Sequence, residues 1–357
     1  MSFSSLFDRV LGRGVPGKNR KAKRARKQRR AAFRKDLRKD LLLEPLEQRQ
    51  LLAVDVTWSA VPQMLTFTDN ASFPDTLTVD YNSGTDTYTV TTLAGNTFTD
   101  STGGGVPSLA IGGGGTTATF LGAQVASLQI DSDGGADEVY VYGIADPITV
   151  NAGLGADKIV VGDAANGLGG IGATVTANGD ADPADVLNVK DSLNVVSRTY
   201  EVTSTTVGWG GGTQVSYATV ESLILDGGSA GDIINVRSSG DDTPITVNAD
   251  GGDDTVNIGS SGVPGNSLDS ILGTVGVSGG AGSSDALVIN DQGDTDSNSY
   301  TITNTTLNRG GAALISYDTL VRGIDRQCDV LRQQRHDPQH AEYDARDRLW
   351  EWRRRHV

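Results

Sequence analysis

The 357-residue chain carries 30 Lys/Arg against 44 Asp/Glu, with 46 Gly, three His and one Cys. Its acidity belongs to the centre: residues 1–52 hold 16 basic against 5 acidic side chains, 53–325 hold 6 against 33, and 326–357 hold 8 against 6. Such a centre repels nucleic acid and attracts cations, and no apolar run approaches the roughly 18 residues of a membrane-spanning helix.

The chain opens on a basic segment, residues 1–54. Lys18–Lys39 packs 13 Lys/Arg into 22 residues. Its Ala, Arg, Lys and Gln suit a helix over 20–43, with disorder as the alternative, since no wide apolar face appears. A nucleic-acid arm would need interleaved aromatics that are absent. Attraction to a membrane surface and an export address also compete. The run LEPLEQRQLLA at Leu43–Ala53 resembles the LEPR-x-LL type N-terminal segment of large exported or surface proteins of some bacteria. Leu43, Glu44, Pro45, Arg49, Leu51, Leu52 and Ala53 carry the match, with the Arg four residues after Pro45 rather than directly after it. The resemblance implies sorting to the cell envelope or exterior, and nothing about activity.

Beyond this segment, β-branched residues alternate with polar ones between Gly/Asp turns, the signature of short strands. That alternation is too regular for a disordered acidic segment. PITVNA occurs at 147–152 and again at 244–249, an offset of 97. Tyr200-Glu201-Val202-Thr203 and Ser216-Tyr217 return at an offset of 100, as Tyr300-Thr301-Ile302-Thr303 and Ser316-Tyr317. A unit of about 100 residues is therefore duplicated, giving copy one over 122–218 and copy two over 219–325. A worn copy is expected over 55–121, where Asp75–Val79 resembles Asp185–Val189 and Tyr88–Thr91 resembles Tyr200–Thr203.

Aspartates close the turns at Asp137, Asp157 and Asp185, then at Asp232, Asp254 and Asp285. Their spacing of 20 to 31 residues is the length of one coil of a parallel β-solenoid. The fold expected is all-β, a parallel β-solenoid or β-helix of tandem repeats, with tandem β-sandwich domains as the alternative. In a solenoid Ile148, Val150 and Ala152 point inward, as do Val139/Val141, Ile159/Val161, Val256/Ile258 and Leu287/Ile289, and this pattern sets the register.

Gly153-Leu154-Gly155-Ala156-Asp157-Lys158-Ile159-Val160 reads G-x-G-x-D-x-U-x, where U is a large apolar residue. Gly134–Val139 and Asp250–Val256 come close to it. These turns are similar to the hemolysin-type (RTX) calcium-binding repeat. That likeness implies Ca²⁺ as the one cofactor and Asp137, Asp157 and Asp254 as ligands, with Asp250 and Asp253 as further candidates. The family repeats every nine residues without pause, whereas these turns stand about 20 residues apart. The competing account is structural: Gly permits positive φ and Asp bonds within its own turn.

No catalytic residue is assigned. The repeats hold neither His nor Cys, which removes the usual nucleophile–base pairs and His-rich zinc sites. Their six Lys/Arg are scattered rather than clustered as in a β-helix polysaccharide enzyme. From Arg326 the composition changes abruptly to a tail with eight Arg, all three His and the lone Cys. Trp is encoded only by TGG, so Trp350-Glu351-Trp352-Arg353 read one nucleotide later begins Gly-(Asn/Ser)-Gly, the kind of turn found at Gly251–Thr255. Residues 326–357 are therefore expected to come from a shifted reading frame that interrupts a longer array. The function expected is a non-enzymatic, exported or cell-surface protein with a structural or adhesive role toward envelope or matrix components and glycans. A calcium-dependent binding module and a carbohydrate-active β-helix enzyme are the alternatives.

Overall fold

A computed structural model describes residues 52–69, 74–93, 95–162, 167–180, 184–259, 267–294, 296–318 and 323–327. The basic segment up to residue 51 and the tail from residue 328 lie outside the described residues. None of the described helices is long and apolar enough to cross a membrane.

The chain winds as a two-sheet parallel β-solenoid. Strands Ser127–Asp131, Ile148–Asn151 and Val175–Asn178 stack in one sheet, while Glu138–Val141, Lys158–Val161 and Val186–Lys190 stack in the other. Through these six strands the chain thus alternates between the sheets and lays down one strand of each per coil. Pairing is parallel and in register, Ile148 lying between Leu128 and Val175 and Val150 between Ile130 and Ala177. All six of these side chains are buried. The same alternation builds the facing column Val139, Ile159, Leu187, Leu223, Ile245 and Val275. Each coil alone is too thin to bury its apolar face, and stacking supplies the missing wall. Both 13-stranded sheets run unbroken through the two copies, so the tandem-sandwich alternative, which needs a sheet pair closed within each copy, gives way to the solenoid.

The duplicated units do not lie in equivalent sheets. PITVNA of copy one supplies Ile148–Asn151 to the first sheet, and PITVNA of copy two supplies Ile245–Asn248 to the second. Each copy ends in an antiparallel meander: Thr199–Val202, Thr206–Trp209 and Gly212–Ala218 in the first sheet, Tyr300–Ile302, Thr306–Arg309 and Ile315–Tyr317 in the second. Copy one therefore gives six successive strands to the first sheet and three to the second; copy two gives six to the second and, before its meander, three to the first, with Gly323–Gln327 following in the first sheet. Successive copies are related by half a coil and interlock like offset bricks.

Residues 52–121 form the other end of the stack. Thr76–Asn82 pairs in parallel with Glu138–Val141. Thr87–Thr92 then turns straight back and pairs antiparallel with Thr76–Asn82, whereas Thr199–Val202 crosses to the opposite sheet. Phe67, Phe98, Tyr88 and Phe120 fill this end, with Tyr88 and Phe120 stacked at 5.2 Å between ring centroids.

Candidate functional site

The turn aspartates form two ladders, one at each sheet. In the first, the backbone N–H of Asp75 donates to Asp137 Oδ1 at 2.7 Å and that of Asp137 donates to Asp157 Oδ1 at 2.7 Å. Asp157 donates likewise to Asp185 Oδ1 at 2.8 Å, and Asp185 to Glu221 Oε2 at 2.8 Å. In the second, Arg198 donates to Asp232 at 2.7 Å, Asp232 to Asp254 at 2.7 Å and Asp254 to Asp285 at 3.1 Å. The carbonyls join in: Asp137 O accepts from Lys158 N–H and Asp157 O from Val186 N–H, both at 2.8 Å. Asp137, Asp157, Asp185, Asp232 and Asp254 thereby each tie their own coil to the coil on either side. The Asn96 amide donates to Asp75 at the base of the first ladder.

These carboxylates are almost wholly buried, Asp137 and Asp157 being 2 % exposed and Asp254 1 %. Burial, with the like charges of Asp157, Asp75 and Asp133 adding to it, pushes Asp137 up to about 7. Burial, reinforced by Asp232, Asp285 and Asp253, pushes Asp254 up to about 6. Asp232 is raised for the same first reason, although the N–H groups of Arg198 and Gly228 pull against it. The second carboxylate oxygens of Asp137 and Asp254 are buried without a hydrogen-bond partner.

The five residues singled out as metal ligands occupy three settings. Asp137 and Asp157 are successive rungs of the first ladder, and Asp254 is a rung of the second. Asp253 lies on the exterior beside Asp254, where its Oδ1 accepts from the Ser283 N–H at 3.0 Å, the Ser283 hydroxyl at 2.9 Å and the Ser284 N–H at 3.0 Å. Those donors hold its pKa below the ordinary carboxylate value. Asp250 sits at φ 68° with its carbonyl accepting from Ala281 N–H, and burial raises its carboxylate. Calcium takes six to eight oxygens. Among the described residues no three His, Cys, Asp or Glu side chains converge to hold a metal ion. One oxygen each of Asp137, Asp157 and Asp254 is engaged by a backbone N–H. Asp75, Asp185, Glu221, Asp232 and Asp285 are the ladder residues outside the set that motif matching selects, and for the aspartates the common place before a strand was the available signal.

The glycines of G-x-G-x-D are explained by the same stacking. A Cβ on Gly153, at φ +84°, would lie 1.9 Å from the carbonyl oxygen of Asp133 in the neighbouring coil.

On the outer surface, polar side chains form their own columns. Asn151 Nδ2 donates to Asp131 at 2.7 Å, Asn178 Nδ2 to Asn151 at 2.8 Å, and in copy two Asn248 Nδ2 donates to Asp226 at 2.7 Å. A groove of about 430 Å³ lies over the copy-two strands, lined among others by Thr246, Asn248, Ser278, Thr306, Ser316 and Asp318. A smaller one of about 260 Å³ lies at Asn151, Asn178, Asp180 and Thr219 of copy one. Position 276 is Gly where copy one has Thr176, which removes a side chain from the floor of the larger groove.

No protein-family model matches the chain, and neither the curated proteins nor the solved structures contain a match.

Proposed function

We propose that this chain is a non-enzymatic repeat protein of the cell envelope or exterior, in which the solenoid acts as a spacer with an adhesive outer surface toward glycans or matrix. The observation that carries this reading is the pair of grooves on corresponding strands of the two copies, each lined by hydroxyl and amide side chains with one aspartate, Asp318 or Asp180. Hydroxyl, amide and carboxylate groups spaced along a stack suit ligands rich in hydroxyls, and repetition lets weak contacts add through avidity. The ladder carboxylates are engaged by backbone N–H groups, which favours a structural role for them over acid–base chemistry. The basic lead and LEPLEQRQLLA support the envelope or exterior as the location.

The test is retention of the full chain on immobilised envelope polysaccharides and a neutral glycan array, with EDTA or with millimolar Ca²⁺. Retention that survives EDTA and is lost on filling the groove with Gly276→Tyr is the expected result. Retention only with Ca²⁺ would instead select the calcium-dependent binding module, and release of new reducing ends would select the carbohydrate-active enzyme. Failure to bind any glycan or matrix preparation would leave the adhesive reading without support.

A further inference from the structure

The smaller groove lies at the end of a polarised row of amides. Asn178 Nδ2 donates to Asn151 Oδ1 at 2.8 Å, and Asn151 Nδ2 donates to Asp131 Oδ1 at 2.7 Å. The row thus spends N–H groups toward Asp131 and ends on the oxygen of Asn178, because the next rung in register is Ala218. An amide that donates within such a chain becomes a stronger acceptor at its own oxygen.

Two residues in unusual backbone conformations stand at that end of the row. Asp180 has φ 85° and Thr219 has φ 53°, the second a conformation that β-branched residues rarely adopt. They hold each other in place. The Asp180 N–H donates to Thr219 Oγ1 at 2.9 Å, and the Gly179 N–H donates to the Ala218 carbonyl at 3.1 Å. A Cβ at Gly179 would lie 2.1 Å from the Thr219 carbonyl oxygen, so the two turns meet as closely as backbone allows. Asp180 is exposed and lines the groove with Asn151, Asn178 and Thr219. No Lys or Arg is among the described residues that line it.

We infer that this groove selects glycans carrying free primary amines, the ammonium of an amino sugar binding between Asp180 and Asn178 Oδ1. The inference rests on the reading of the groove as a glycan site and adds the class of sugar. An ammonium has three donors and no acceptor, which matches a carboxylate beside a terminal amide oxygen. The surrounding charge, 33 acidic against 6 basic side chains over 53–325, attracts a cationic polymer and repels uronate or phosphate polymers. Thr219 Oγ1 accepts the Asp180 N–H, so its O–H remains a donor for a sugar hydroxyl. A lysine side chain offers the same ammonium without hydroxyls for Thr219 and Asn151 to recognise.

The experiment titrates the full chain with three trimers of one backbone: glucosamine with free amines, its fully N-acetylated form, and glucose. Carbodiimide coupling then joins bound amine to the carboxylate it touches, and peptide mapping locates the amide formed. The free-amine trimer should bind about fivefold more tightly than the other two, the upper end for an exposed ion pair, with coupling concentrated on Asp180. Asp180→Asn keeps a residue that tolerates positive φ, and it should abolish that coupling and most of the amine preference. Asp241→Asn, at an exposed aspartate that lines neither groove, should change neither. Equal binding of the three trimers would overturn the inference and leave the groove reading in place, whereas no binding by any trimer would remove both. Coupling spread evenly over exposed carboxylates would mean diffuse attraction to an acidic surface, which also defeats the inference. Displacement of the trimer by an equal concentration of oligolysine would reassign the groove to basic peptides.

Discussion

The carboxylate of Asp157 accepts the backbone N–H of Asp137 at 2.7 Å, across a whole coil of 20 residues. A side chain here does what a backbone carbonyl does elsewhere in the ladder, because the turn before each strand carries its N–H groups past the end of the regular pairing. Removing Asp137 should expose the general cost. In Asp137→Ala the buried N–H of Asp75 loses its acceptor, and the stack should lose about 1–3 kcal/mol. Asp137→Asn keeps an acceptor and should lose less. The check is the urea midpoint with the slope monitored for constancy, alongside exchange of the Asp75 amide.

The same burial sets a pH dependence whose sign is unusual for carboxylates. A folded pKa of about 7 at Asp137 and about 6 at Asp254 lies above the ordinary 3.8. The folded chain therefore binds more protons than the unfolded chain between those values, and stability must fall as pH rises through that window. Their contribution is fully present below about pH 4 and lost by about pH 7. The melting temperature should accordingly be higher at pH 5 than at pH 8. Repulsion across the acidic surface pushes the same way, so the specific readout is the double variant Asp137→Asn/Asp254→Asn. It should flatten the profile between pH 4 and 7, and a profile unchanged in slope would remove these two residues as its cause.

Much of the solenoid was legible because its signal is local. Alternation at Ile148, Val150 and Ala152 fixes which side faces inward, and the recurrence of Asp137, Asp157 and Asp185 measures the coil. The exchange of sheets between copies was not legible. Whether a 100-residue unit spans a whole or a half number of coils depends on where Thr199–Val202 folds back, and Tyr200-Glu201-Val202 carries the alternation of any strand. The aspartates were found, but a short motif fits two chemistries, and only the position of the next coil shows that Asp157 meets an N–H. Asp253 illustrates the limit well. It is adjacent to Asp254 in sequence, yet it faces outward to Ser283 because neighbouring strand-entry positions point to opposite sides.

Glycine substitutions separate the stacking account from mere turn flexibility. Gly153 and Gly211 both have positive φ, at +84° and +90°, but a Cβ on Gly153 meets the Asp133 carbonyl whereas one on Gly211 meets nothing within 4 Å. Gly211→Ala should cost only the backbone strain, about 1 kcal/mol. Gly153→Ala must also push two coils apart and should cost about 2–4 kcal/mol. Thermal or urea unfolding of the two single variants measures the difference. Equal losses would mean that the coils yield at this turn.

The two copies solve one electrostatic problem with different residues, which permits a swap experiment. Asp191 and Asp291 are both fully buried, and each accepts a backbone N–H through Oδ1, from Leu168 and Leu268, and a tyrosine hydroxyl through Oδ2, from Tyr200 and Tyr300. In copy one the neighbouring cation is Arg198, 3.3 Å from Asp191. In copy two that position is Asn298, and the cation comes instead from Arg309, which replaces Trp209 and reaches Asp291 at 3.3 Å and Asp294 at 2.8 Å. Stripping one partner from a buried pair costs about 3–5 kcal/mol, since the other charge is left uncompensated. Arg309→Trp should therefore destabilise by that order. Adding Asn298→Arg rebuilds the arrangement of copy one and should recover a substantial part of the loss, while Asn298→Arg alone should gain little. A double-mutant cycle reads the coupling directly. Strict additivity of the two changes would show that position 298 cannot deliver its charge to Asp291, and that the copies have diverged in backbone as well as in side chain.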